Sequence, residues 1–167
     1  DAERLSLEPV DLVRVVAGAV AARLPGAAIT LPPTPLVVDS EPRRLDRILG
    51  NLLDNARDHA TGAPVEIALA RTREGAVIVV ADRGPGVPAG SLPHLFDRFY
   101  KADPSRAGGT SGLGLAIAAE HAALLGGSLR ARSRPGGGLM LTLTLPVTGS
   151  LPAGHAVDTR PADSGDT

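Results

Sequence analysis

The sequence predicts a two-layer α/β sandwich, in which a mixed, mostly antiparallel sheet packs under about three helices. Two observations carry this. Residues 65–70 with 76–81, and 128–134 with 139–145, are β-rich runs joined by short turns, the pattern of hairpins. Helical patterns are interleaved irregularly with these runs instead of alternating with single strands, which argues against a doubly wound parallel sheet. The chain has 167 residues, 43% of them hydrophobic and 21% charged. That is enough for one core without covalent staples and too apolar for wholesale disorder.

Taken in order, residues 1–8 are a polar lead-in. Pro9, Val10, Val13, Val16, Val20 and Leu24 have helical spacing, so a helix is expected over 9–24, stopped by Pro25 and Gly26. Residues 28–31 and 36–38 read as short strands around a Pro-rich turn. Ser40 is the expected N-cap of a long helix over 41–60, with Pro42 tolerated in its first turn. The hairpin 65–81 turns at Arg73-Glu74-Gly75 and runs into a Gly/Pro loop over 82–90, then a short apolar-aromatic segment over 95–100. Residues 102–112 are rich in Gly, Ser and Thr and read as mobile. A helix over 113–125 should end in a left-handed cap at Gly126-Gly127 before the last hairpin. From Thr148 onward a Gly/Pro/Asp composition without periodicity reads as a disordered tail.

Composition removes several classes of function. There is no cysteine, hence no disulfide and no thiol chemistry. A net charge of −1 argues against a nucleic-acid partner held on a basic face. No apolar run approaches the ~18–20 residues that span a bilayer. One asymmetry is informative. Asn51 and Asn55 are the only asparagines, Lys101 the only lysine, and Phe96, Phe99 and Tyr100 the only aromatics, so these types fall in two short windows.

On the long helix, Leu45, Ile48, Leu49, Leu52, Leu53 and Ala56 form an apolar stripe, edged by Asn51, Asn55 and His59 at i, i+4 and i+8. Two amides one turn apart at a core border can share a hard cation such as magnesium, or can simply be solvated. Asp82-Arg83-Gly84-Pro85-Gly86-Val87 places a carboxylate at a strand end facing a glycine turn, where it could accept from an exocyclic amine or merely close a turn. Gly109-Thr110-Ser111-Gly112-Leu113-Gly114-Leu115-Ala116 opens a helix with glycines, which suits a phosphate cradle or a hinge. It is neither a Walker loop nor a Rossmann fingerprint. Between them, the aromatic segment is followed by Lys101 and Arg106, an arrangement suited to a lid over phosphates or to a satellite apolar cluster with solvated charges.

In order and spacing, these windows resemble the ATP-binding catalytic domain of sensor histidine kinases, in the superfamily shared with gyrase and the heat-shock chaperone ATPases. Asn51-Leu52-Leu53-Asp54-Asn55-Ala56 is similar to the N box and Asp82-Arg83-Gly84-Pro85-Gly86 to the first glycine box. Residues 95–103 are similar to the F box, and Gly112-Leu113-Gly114-Leu115-Ala116 to the second glycine box. The resemblance spans about residues 5–147.

It implies a Bergerat fold binding ATP and Mg2+ between the N-box helix and the lid. It implies Asn55 as the main magnesium ligand with Asn51 assisting, Asp82 on the adenine amine, and His59 near the ring. Gly84, Gly86 and Val87 would shape the adenine pocket. Ser111, Gly112, Leu113, Gly114 and Leu115 would hold phosphates, and Lys101 and Arg106 would stabilise charge during transfer. Two positions depart from the pattern: Asp58 stands where many relatives carry a lysine, and His59 replaces a tyrosine. The hydrolytic relatives carry a Glu where this chain has Asn51, and an amide cannot act as a general base, so phosphoryl transfer is favoured over hydrolysis.

None of His59, His94, His121 or His155 has the family's phosphoacceptor context; the last three read as exposed loop, helix and tail residues. The resemblance therefore implies an acceptor histidine on a separate dimerisation domain. Residues 1–8 would be the end of the linker from it, 9–147 the catalytic domain and 148–167 the tail. The fragment itself would be monomeric and cytoplasmic, without direct membrane contact. Its parent would be a homodimeric receptor in the cell membrane, with a response regulator as partner. An anti-sigma-factor serine kinase is disfavoured because its relatives lack the F box. A non-catalytic nucleotide-binding or contact module stays open through Asp58.

Overall fold

The computed structural model describes residues 4–101 and 112–147. Its main sheet has five strands in the order β2-β4-β5-β7-β6: β2 (Ala28–Thr30), β4 (Val65–Thr72), β5 (Gly75–Asp82), β6 (Ser128–Ser133) and β7 (Leu139–Leu145). Only β2 and β4 run parallel; the other neighbours are antiparallel. A separate two-stranded antiparallel ribbon joins β1 (Glu8–Asp11) to β3 (Val37–Ser40). The helices are α1 (Leu12–Arg23), α2 (Pro42–Ala60) and α3 (Gly114–Leu124), with a 3-10 helix over Ala89–His94. The mixed, mostly antiparallel sheet under three helices is the architecture the hairpins and the long helix predict.

Alternation along the strands decides which face the helices cover. Val65, Ile67 and Leu69 of β4, Ile78 and Val80 of β5, and Leu139, Leu141, Leu143 and Leu145 of β7 are buried in one core with Leu12, Leu45, Ile48, Leu49, Leu52 and Leu53. Between them, Glu66, Ala68, Val77, Val79, Thr142 and Thr144 stay half-buried on the other face. Fully burying one such leucine or isoleucine contributes about 1.5–3 kcal/mol, so the inward rows dominate cohesion.

Two expectations are corrected at the N-terminal half. Pro9 and Val10 are not helical: they pair with Asp39 and Val38 in the β1–β3 ribbon. The helix starts only at Leu12, because the Asp11 carboxylate accepts from Val13 N at 3.0 Å and caps it there. The same Oδ1 accepts from Leu36 N at 3.3 Å, so one carboxylate ties the helix start to the approach to β3. Ser40 is not the cap of α2. It is the last residue of β3, buried, and opposite Glu8; Glu41 takes the cap position without a capping side-chain bond, its carboxylate accepting instead from Arg44 Nε at 2.9 Å. The 3-10 helix falls where the Gly/Pro composition reads as loop and adjoining residues.

Helix α2 buries Leu45, Ile48, Leu49, Gly50, Leu52, Leu53, Ala56 and Ala60. At Gly50 the missing side chain admits the Arg23 guanidinium from α1; a Cβ there would lie 2.8 Å from it. Arg23 continues to Asp54 at 2.9 Å. The C-terminus of α3 ends as expected, with Gly126 left-handed at φ +77°. Among the described residues no helix is long and apolar enough to cross a membrane.

Candidate functional site

Three sequence-distant pieces meet around the C-terminal half of α2. The first is the end of β5. Asp82 is 3% exposed, and its Oδ1 accepts from Gly84 N at 2.9 Å and from Leu139 N at 3.3 Å. Among the described residues Oδ2 takes no hydrogen bond. A buried carboxylate needs partners for both oxygens, so this arrangement leaves one acceptor for a donor from outside.

The glycine turn after Asp82 packs directly on α2. A Cβ on Gly84 would come within 2.3 Å of the His59 carbonyl oxygen, so only glycine fits this approach. Gly86 has φ +70° and backs onto Gly138 of the β6–β7 turn, while Val87 packs against the core. His59 is half-buried, with the turn against its backbone.

The second piece is the amide ridge. Asn51 and Asn55 are both half-buried, and Asn55 Oδ1 is buried without a hydrogen-bond partner among the described residues. Among the described residues no cluster of three or more His, Cys, Asp or Glu side chains could hold a metal ion. The orphaned Asn55 oxygen is a hard donor at the core border, and it fits a cation that keeps water and phosphate in most of its shell. Asp58, the departure noted above, is exposed and lies 3.4 Å from Arg57, which also reaches Asp54 at 3.4 Å.

The third piece is the start of α3, which faces the ridge: a Cβ on Gly114 would lie 3.7 Å from Asn51 Oδ1. No side chain caps α3 at Leu113. Its first intrahelical bond runs from Ile117 N to Leu113 O at 2.9 Å, so the N–H groups of Gly114, Leu115 and Ala116 are not spent in the helix. Leu115 buries its side chain in the core, which leaves only its backbone for a ligand. Gly112, at φ +73°, is pressed against Phe99 and Tyr100; Phe99 N donates to Gly112 O at 2.9 Å. The chain therefore leaves at Tyr100 and returns at Gly112 to one point. Lys101 is exposed beside that point. Arg106 and Ser111, and all of the stretch expected to be mobile except Gly112, lie outside the described residues, as do His155 and the tail from 148 onward.

The aromatic segment is anchored by polar contacts that sequence reading missed. Tyr100 Oη donates to the buried Ser91 Oγ at 2.9 Å, and the His94 and Tyr100 rings lie 5.5 Å apart. Arg98 pairs with Glu120 of α3. His121, expected to be exposed, is half-buried and meets Arg44 Nη1 at 2.9 Å. Sequence reading also missed Leu139, Gly138 and Arg134 beside Asp82; the glycine run 136–138 signalled a turn of positive φ, and nothing local marked Gly138 as the one of the three that packs on Asp82.

Comparison with known proteins shows the family and the fold. The family model described as Histidine kinase-, DNA gyrase B-, and HSP90-like ATPase matches residues 40–149. The chain is 45% identical over 152 residues to the signal transduction histidine-protein kinase AfsQ2 of Streptomyces coelicolor, covering 90% of this chain and 28% of that protein. It is 48% identical over 124 residues to the sensor histidine kinase component HK1 of Mycobacterium tuberculosis, covering 72% of each. The solved ATP-binding domain of PrrB from Mycobacterium tuberculosis superposes with a TM-score of 0.66 at 31% identity, covering 85% of this chain and 98% of that one. The chain thus spans less than a third of AfsQ2 but nearly all of an isolated ATP-binding domain. It belongs to the histidine kinase-, DNA gyrase B- and HSP90-like ATPase family, among the ATP-binding domains of sensor histidine kinases.

Proposed function

We propose that this domain binds ATP between α2 and the start of α3 and transfers its γ-phosphoryl group to a histidine on a separate dimerisation domain of the parent protein. The observation that carries the reading is Asp82, with one carboxylate oxygen saturated by backbone amides and the other open to an amine. Gly84 and Gly86 let the backbone lie close to a flat ring, and Val87 and His59 border it. The unspent amides of Gly114 and Leu115, with Gly112 and Leu113 setting their direction, suit the phosphates.

Asn55, with Asn51, would hold Mg2+, which supplies charge neutralisation on the phosphates. Lys101 and Arg106 carry positive charge to the terminal phosphate, and Ser111 adds a hydroxyl. In the transfer, the acceptor nitrogen forms its bond to phosphorus as the bridging bond to ADP breaks. Asn51, an amide, cannot take a proton from water, which favours this route over hydrolysis. The parent is read as a membrane-anchored homodimer with this domain in the cytoplasm and a response regulator downstream.

Calorimetric titration with a non-hydrolysable ATP analogue tests the pocket. Binding is expected with magnesium and should fall about tenfold or more in Asp82→Asn, the scale of one hydrogen bond to a charged group. Absence of binding by the unsubstituted chain, or equal binding by Asp82→Asn, would overturn the assignment.

A further inference from the structure

The carboxylate of Asp82 is only as well aimed as the turn that holds it. Leu139, which donates to Asp82 Oδ1, follows the turn between β6 and β7, and Gly138 at φ +104° is packed beneath the end of β5. A Cβ on Gly138 would fall 2.0 Å from the Asp82 carbonyl oxygen. The β5–β7 ladder brings this turn alongside β5, pairing Ala81 with Met140, and one side chain, Arg134, ties the turn to the Asp82 backbone.

Arg134 is internal for an arginine, with its side chain 10% exposed. Its Nη1 donates to the Asp82 carbonyl oxygen at 3.4 Å, and its Nη2 pairs with Glu66 on β4. Its backbone closes the turn: Arg134 N donates to Gly138 O at 2.9 Å, and Gly137 N to Arg134 O at 3.0 Å. Glu66 also lies 3.8 Å from Arg83, the residue after Asp82. One guanidinium therefore spans from the β6–β7 turn, past the end of β5, to β4. Because it is planar and forked, it fixes direction as well as distance.

We infer that Arg134, with Glu66, is a positioning residue for adenine recognition: it locks the β6–β7 turn so that Leu139 N–H holds Asp82 Oδ1 and leaves Oδ2 aimed at the base. The inference rests on the reading of Asp82 as the adenine acceptor. A looser turn lets the carboxylate rotate, and the loss then falls on ligands that use an exocyclic amine. Inosine nucleotides present a carbonyl oxygen at that position and gain nothing from Asp82.

The experiment compares a non-hydrolysable ATP analogue with its inosine counterpart, by competition titration on the full 167-residue chain. Arg134→Met should weaken the adenine ligand by about tenfold and the inosine ligand by less than about twofold, so that the preference for adenine falls at least about fivefold. Glu66→Gln, at a half-exposed position, should move the same ratio in the same direction and keeps the test standing if Arg134→Met fails to fold. Arg134→Lys should recover less than half of the lost discrimination, because an ammonium on a flexible stem lacks the planar fork that fixes the direction of both contacts. Equal losses for the two ligands, or no loss, would overturn the positioning role. Asp82→Asn is the control: if it leaves adenine preference intact, the failure belongs to the adenine reading and not to Arg134 alone.

Discussion

Arg44 of α2 and His121 of α3 meet across the helix interface at 2.9 Å, through a guanidinium Nη1 and the imidazole Nδ1. A guanidinium only donates, so Nδ1 must accept, and the ring is neutral at that atom. Burial lowers the His121 pKa below 6.5, and Arg44 and Arg47 lower it further against the smaller pull of Glu120 and Glu41. In the unfolded chain the ring takes a proton near the ordinary value while the folded one resists. The folded state then binds fewer protons, and stability is lost as pH falls through 6.5. The urea midpoint should drop between about pH 7 and pH 5, and His121→Gln, which keeps an acceptor without a titrating ring, should flatten part of that slope. A parallel slope in the variant would rule the histidine out.

The Asp11 carboxylate serves α1 and the strand approach together, through Val13 N and Leu36 N. Asp11→Ala should cost about 1–2 kcal/mol, more than an isolated helix cap in a peptide, because two amides lose their acceptor. Asp11→Asn, which keeps an oxygen, should recover most of it. Equilibrium denaturation of the two variants checks the order.

Gly137 and Gly138 offer a matched pair. Both have φ above +100°, yet only Gly138 is crowded. Gly137→Ala should cost the backbone term alone, about 1–2 kcal/mol, whereas Gly138→Ala adds overpacking, for about 2–4 kcal/mol in total. Equal costs in chemical denaturation would show that the β6–β7 turn yields without disturbing Asp82.

Asn55 separates stability from binding. Its Oδ1 is buried and has no partner among the described residues, so Asn55→Ala should leave stability unchanged or raise it by up to about 1 kcal/mol. Calorimetry with and without magnesium should show the magnesium-dependent part of nucleotide affinity gone in the same variant. Retained magnesium dependence would move the cation away from this amide.

The stripe on α2 and both hairpins were legible in the sequence because their signals are local, with apolar period and turn residues within one window. The residues that form the N-box ridge and the Asp82 turn were legible as windows for the same reason. What escaped was set by distant partners. Pro9 and Val10 share helical spacing with Val13 and Val16, yet residues 37–40 recruit them into a ribbon. Ser40 has a capping side chain but is held as strand opposite Glu8. The bracing of Asp82 by Arg134 and Glu66 joins residues 52 and 68 positions apart along the chain, beyond any local pattern.

The separation of 57 positions between Asp82 and Leu139 also sets an order of synthesis. Strand β5 is complete long before β7, which is its second neighbour, has been synthesised. Until then the nascent sheet ends at β5 as an open edge, and the carboxylate lacks the amide that steadies it. A chain halted before the last hairpin would carry every residue of the N box and both glycine boxes, yet lack the Leu139 amide and the Arg134 guanidinium that hold Asp82. The geometry around Asp82 thus depends on the last hairpin, and a nucleotide bound there would favour chains that have completed it.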